Sequence, residues 1–183
     1  MVLIATKQTD SVYSKSTAKL QVVDNLIYYV WRESDGSYSQ IWIATSNLDG
    51  TGFTPTKLTT SAYNKTHPRF QVVGATIYYV WLEYGGDYQI WTATSALNGS
   101  GFTPTEQTTG GNDKNSPRLQ VVGSTIYYTW DESNVGIWTA TSNLDGTDFT
   151  PTKQSPSPVP AESYLELQVV DTVIYYVFPV YWE

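Results

Sequence analysis

One segment of this sequence recurs four times, and that recurrence restricts the fold more than any local propensity. LQVVDNLIYYVWRES begins at Leu20, FQVVGATIYYVWLEY at Phe70, LQVVGSTIYYTWDES at Leu119 and LQVVDTVIYYVFPVY at Leu167. The glutamines Gln21, Gln71, Gln120 and Gln168 stand 50, 49 and 48 residues apart. A second block follows three of the copies: IWIATSNLDGTGFTPTKLTT from Ile41, IWTATSALNGSGFTPTEQTT from Ile90 and IWTATSNLDGTDFTPTKQS from Ile137. A fixed period of this length marks a solenoid, a propeller or an array, in which each unit buries its faces only against its neighbours.

Each copy reads as four short strands. The first is bounded by a proline such as Pro68 and by a two-residue turn: Asp24-Asn25, Gly74-Ala75, Gly123-Ser124 or Asp171-Thr172. These residues accept the positive φ of tight hairpins. The second strand, TIYYVWLE in the second copy, is β-branched and aromatic throughout, the signature of a strand buried on both faces. A polar loop leads to the third, QIWTATS. The fourth carries Pro55, Pro104 or Pro151. Proline has no N–H to give to a ladder, so this strand belongs at the outer edge. No segment has a helical period. The fold class is all-β, and four strands per repeat make each repeat a propeller blade.

Counting first strands gives four blades in one domain, at about 18–61, 68–110, 117–155 and 164–183. The N-terminal stretch resembles the outer-strand segment that starts at Gly52, so residues 1–10 are expected to complete the fourth blade and close the ring. The same clasp could form between chains, which makes a homo-oligomer an alternative. Ser155 to Pro160 reads as a stiff connector.

The third-to-fourth strand loops run SNLDGTGF (Ser46 to Phe53), SALNGSGF (Ser95 to Phe102) and SNLDGTDF (Ser142 to Phe149). They resemble the Asp-box loops of sialidase-like propellers, with the acidic or amide residue (Asp49, Asn98, Asp145) one place late. Their endings are also similar to those of TolB-like propellers. The resemblance implies a propeller with structural loops. It does not extend to sialidase activity: Arg32, Arg69 and Arg118 are the only arginines, the family's N-terminal arginine motif is missing, and the blade count is too low.

Composition excludes several functions. The formal charge is −7 with only 10 Lys plus Arg, so the cationic footprint of a nucleic-acid binder is lacking. An anionic membrane surface is disfavoured for the same reason. No apolar run reaches the length of a membrane-spanning helix. Without cysteine there is no disulfide and no thiolate chemistry. The first ten residues do not form a signal peptide, while low charge with abundant Ser, Thr, Tyr and Trp has the look of an exported bacterial domain. His67 is the single histidine, so no zinc pair or Ser-His-Asp set is expected. Asp35, Asp87 and Asp131 fall in or near strand-two-to-three loops, without EF-hand spacing. No cofactor and no metal is expected.

In antiparallel blades, first-strand starts and second-strand ends share one face. That face is expected to carry Lys19, Arg69, Arg118 and Glu166 around the central opening, with Trp31, Trp81, Trp130, Glu33, Glu83 and Glu132 near the strand-two ends. Phe178 and Val180 break the pattern in the fourth copy. Trp faces stack on sugars while Glu and Arg bond hydroxyls, so the first functional reading is a non-catalytic, lectin-like module. The alternative for the tryptophans is inter-blade core. The second reading is a protein-binding scaffold. The third is a glycosidase relative, disfavoured because a carboxylate repeated in every blade suits binding or structure better than one asymmetric centre.

Overall fold

A computed structural model describes residues 13–155 and 165–177. They form fourteen strands and no helix. Blade 1 consists of β1 (Lys15–Val23), β2 (Leu26–Ser34), β3 (Ser39–Asn47) and β4 (Thr54–Lys57). Blade 2 consists of β5 (Lys65–Val73), β6 (Thr76–Tyr84), β7 (Tyr88–Ala96) and β8 (Thr103–Glu106). Blade 3 consists of β9 (Lys114–Val122), β10 (Thr125–Glu132), β11 (Gly136–Asn143) and β12 (Thr150–Lys153). The fourth sheet holds β13 (Glu166–Val170) and β14 (Val173–Val177). Every pairing is antiparallel between sequence neighbours, so each sheet is a meander. The architecture is propeller-like and all-β.

The turn residues behave as their chemistry requires. Asp24, Gly74, Gly123 and Asp171 open the β1–β2, β5–β6, β9–β10 and β13–β14 turns with φ between 52° and 59°. The prolines Pro55, Pro104 and Pro151 pair with Ala44, Ala93 and Ala140 on the outermost strands. In the loops before those strands, Asp49 and Asp145 accept the backbone N–H and the hydroxyl of Thr51 and Thr147. Phe53, Phe102 and Phe149 fold back on the blade tryptophans.

One boundary differs from the sequence reading. The first strand does not start at the proline; it begins three residues earlier and runs through Pro68 and Pro117. The ladder skips there, between Thr66 and Arg69 in β5 and opposite Thr129 and Asp131 in β9 and β10. Thr17, His67 and Ser116 sit in this bulge at φ 53°, 52° and 48°. The bulge takes the proline out of the hydrogen-bonding ladder, so its missing N–H costs nothing.

The cores lie between blades. Tyr28, Val30, Ile41 and Ile43 of blade 1 meet Val72, Ile77, Tyr79 and Trp81 of blade 2. Tyr78, Val80, Leu82 and Ile90 of blade 2 meet Val121, Ile126, Tyr128 and Trp130 of blade 3. Ile137, Leu165 and Tyr176 join blade 3 to the last hairpin. The repeated glutamines are clamps between blades. Gln21 accepts from the N–H of Val72 at 2.8 Å and donates to its carbonyl at 3.3 Å. Gln71 accepts from Val121 N–H at 2.7 Å. Gln120 brackets Val169 in the same way, at 2.6 and 3.1 Å.

The described residues alone do not show closure of the ring. Leu20 and Val22 on blade 1, and Val173, Tyr175 and Val177 on β14, are exposed on the faces that would meet. The expected N-terminal strand (1–10), most of the proline-rich connector, and Phe178 and Val180 lie outside the described residues.

Candidate functional site

The innermost strands bring Lys19, Arg69, Arg118 and Glu166 together, as their repeat position implies. Arg69 and Arg118 depress the Lys19 ammonium, Arg69 most strongly, while Glu166 supports it. Burial pushes Arg69 down to about 10, with the Arg118 charge adding to the effect. Arg118 grips Glu166 with Nη2 at 3.3 Å and Nε at 3.4 Å, the fork that fits a carboxylate. Glu166 itself is largely exposed.

The tryptophans are placed differently from the expected sugar-stacking face. Trp31, Trp81 and Trp130 are buried, and none offers an open ring. Each stacks on its neighbour in the third strand: Trp31 on Trp42, Trp81 on Trp91 and Trp130 on Trp138, with centroids 6.2 to 6.3 Å apart. Phe53, Phe102 or Phe149 lies against the other side. Their shared sequence position reflects packing. Glu33, Glu83 and Glu132 form ion pairs at 3.4 Å with Lys15, Lys65 and Lys114. Lys65 is fully buried and bonds the carbonyls of Ser61 and Tyr63 and the Ser61 hydroxyl. Burial lowers its pKa, and Glu83 opposes that shift. These pairs escaped the sequence reading because the bulge moved the strand start. The signal was present: lysine and glutamate recur 18 residues apart in all three copies.

Asp131, expected in or near a strand-two-to-three loop, lies within β10 one residue from its end, and its side chain is wholly buried. The same repeat position holds Arg32 in blade 1 and Leu82 in blade 2. Neither carboxylate oxygen has a full hydrogen bond. Burial raises its pKa to about 6, and Asn115, Ser116 and the Arg118 charge temper the rise. Near neutral pH this group exchanges a proton, whereas Asp35 stays ionised well below the usual range. The Tyr38 and Ser37 N–H groups and Lys57 hold Asp35 there. Among the described residues no cluster fit to hold a metal ion occurs, and no helix is long and apolar enough to cross a membrane.

Arg118 therefore acts on two carboxylates, the buried Asp131 through its charge and the exposed Glu166 through a direct ion pair.

No protein-family profile matches this sequence, and no characterised protein matches it. Solved structures do share the fold. A protein of unknown function from Dyadobacter fermentans superposes with TM-score 0.67 at 14% identity, covering 88% of this chain and 48% of that one. The catalytic domain of a family 62 α-L-arabinofuranosidase from Coprinopsis cinerea gives 0.54 at 11%, covering 78% and 52%. An endo-arabinase from Bacteroides thetaiotaomicron gives 0.61 at 13%, covering 91% and 75%. The chain spans about half the length of the first two. These likenesses show the propeller-like fold. They also overturn the expectation of a non-catalytic, lectin-like module, because the fold's solved examples include glycoside hydrolases.

Proposed function

We propose that this chain forms the propeller of a glycoside-hydrolase-type enzyme, with its chemistry at the end of the innermost strands. The observation that carries the reading is the cluster of Lys19, Arg69, Arg118 and Glu166 on the innermost strands of a fold that solved glycoside hydrolases share. Asp131 is wholly buried within the field of Arg118 and is assigned a positioning role behind that arginine, out of contact with substrate. Glu166, exposed and paired with Arg118, is assigned the carboxylate that directs the attacking water or stabilises the oxocarbenium-like transition state. Arg69 and Lys19 add positive field for substrate hydroxyls and for the developing leaving group. Closure of the ring by the N-terminal strand, or by a second copy of the chain, is part of the same proposal. So is kinship with sialidase-like or TolB-like propellers, supported by the loops before β4, β8 and β12.

The test is hydrolysis of a panel containing p-nitrophenyl α-L-arabinofuranoside, p-nitrophenyl β-D-xyloside, arabinan and xylan. The expected activity falls at least ~100-fold in Glu166→Gln, the usual size of a general acid–base contribution, whereas Asp35→Asn should keep it. No release of sugar across the panel, at protein concentrations that detect slow turnover, overturns the reading.

A further inference from the structure

The innermost strands β1, β5, β9 and β13 repeat one geometric step. Residues two apart in a strand point to the same side. Gln21, Gln71 and Gln120 each reach forward to the innermost strand of the next copy. Lys19, Arg69 and Arg118 stand two residues before them, on stretches of regular pairing, and so point the same way. At the last step this brings Arg118 onto Glu166, which stands two residues before Gln168.

The two earlier steps meet no acid. Lys19 comes forward to Arg69, and Arg69 to Arg118, so the step that ends in an ion pair at β13 sets like charges together at β5 and β9. Among the described residues, the ion pair within this group is that of Arg118 with Glu166. The Arg69 guanidinium bonds the Pro68 carbonyl through Nη1 at 3.0 Å, and no carboxylate answers it or Lys19. Three cations against one carboxylate make this end of the strands locally positive, in a chain whose formal charge is −7. Crowding like charges costs free energy, and a bound anion offsets that cost.

We infer that Lys19 and Arg69 form a subsite for the carboxylate of one uronic acid residue in an otherwise neutral glycan. A guanidinium fork fits a carboxylate, as Arg118 does with Glu166 in the same group. Lys19 is exposed, so a ligand reaches it from solvent. Sugar hydroxyls alone bring no charge to these two cations, whereas a uronate does. A single uronate fits better than a run of them. The overall charge of −7 opposes a polyanion, while within a Debye length of about 8–10 Å the local cations decide. The choice of a sugar rests on the glycoside-hydrolase reading; the choice of a carboxylate rests on the charge pattern alone.

The test is calorimetric titration of the full chain at low ionic strength with the methyl glycosides of D-glucuronate and D-galacturonate. The methyl glycosides of D-glucose and D-galactose, which carry a hydroxymethyl in place of the carboxylate, and sodium acetate, a carboxylate without a sugar, are the controls. At least one uronide should bind saturably, and at least ~10-fold more tightly than its neutral partner or acetate, the size of a charge-assisted hydrogen bond. Arg69→Gln should weaken that binding at least ~10-fold. Lys19→Gln, at an exposed position, should weaken it about 2- to 5-fold. Thermal melts check both variants, and the exposed one keeps the test decisive if Arg69→Gln does not fold. No binding of either uronide, binding no tighter than that of the neutral glycosides or acetate, or affinity unchanged by substitution overturns the subsite. Hydrolysis of the neutral substrates judges the enzyme reading separately.

Discussion

Blades 1 and 2 meet through positions that lie bare on the terminal blades. Tyr28 and Val30 are 3% and 0% exposed where blade 1 covers blade 2. Their repeat equivalents on β14, Tyr175 and Val177, are 55% and 70% exposed. Across the same junction, Val72 is 5% exposed and its equivalent Val22 on blade 1 is 53% exposed. The residues barely change, so their environment is set by whether a neighbouring blade follows. A blade is thus not a folding unit by itself; its stability lies in the junction, as in other repeat proteins.

The largest expected break in that contrast comes from Trp81, which is fully buried at the closed junction. Trp81→Ala should cost about 3–5 kcal/mol in denaturant unfolding, whereas Val177→Ser on the open face should stay within about 0.5 kcal/mol. Equal losses at the two places would mean that the open face is covered in solution, by the N-terminal strand or by another copy.

Asp131 sharpens the comparison at the third junction, where a carboxylate occupies a position that is leucine in blade 2. Its folded-state pKa is raised, so the folded chain holds the proton more tightly than the unfolded chain does. Stability should therefore fall as pH rises from the unfolded value near 4 to about 6, and level off above that. Asp131→Asn should flatten this slope and raise stability at pH 7 by on the order of 2 kcal/mol. Thermal midpoints measured from pH 4 to 8 decide it; a parallel shift of the whole curve would assign the effect to packing instead.

The smallest effect concerns the clamps. Gln71→Ala leaves the buried Val121 N–H without its acceptor and should cost about 1–2 kcal/mol. Gln168→Ala removes a side chain that, among the described residues, bonds its neighbour Val169, and should change little. Chemical denaturation of the pair tests whether the clamp belongs to the junction or to the strand.

Sequence alone carried the repeat, the meander, the turn residues and the proline-marked edge, because glycine, aspartate and proline each have a steric reason for their place. The convergence of Lys19, Arg69, Arg118 and Glu166 was also legible, since topology alone puts equivalent strand starts together. The bulge at His67 was hidden, because nothing in a His-Pro pair announces a left-handed residue inside a strand. With it went the lysine–glutamate pairs. Trp31, Trp81 and Trp130 were ambiguous by nature: a ring suited to stacking on a sugar is equally suited to stacking on another ring. Asp131 departs from its copies, and that departure is the kind of signal a search for regularity passes over.

The glutamine clamp has a consequence for the history of such a chain. Gln21, Gln71 and Gln120 each reach forward to the next copy, so a copy brings both its own hook and the backbone eye for the hook before it. A duplicated stretch of DNA encoding one period would arrive already fitted to its predecessor and its successor. Lengthening or shortening by whole periods is then the genetic change this architecture accommodates most readily, and near-identical neighbours are the trace such events leave.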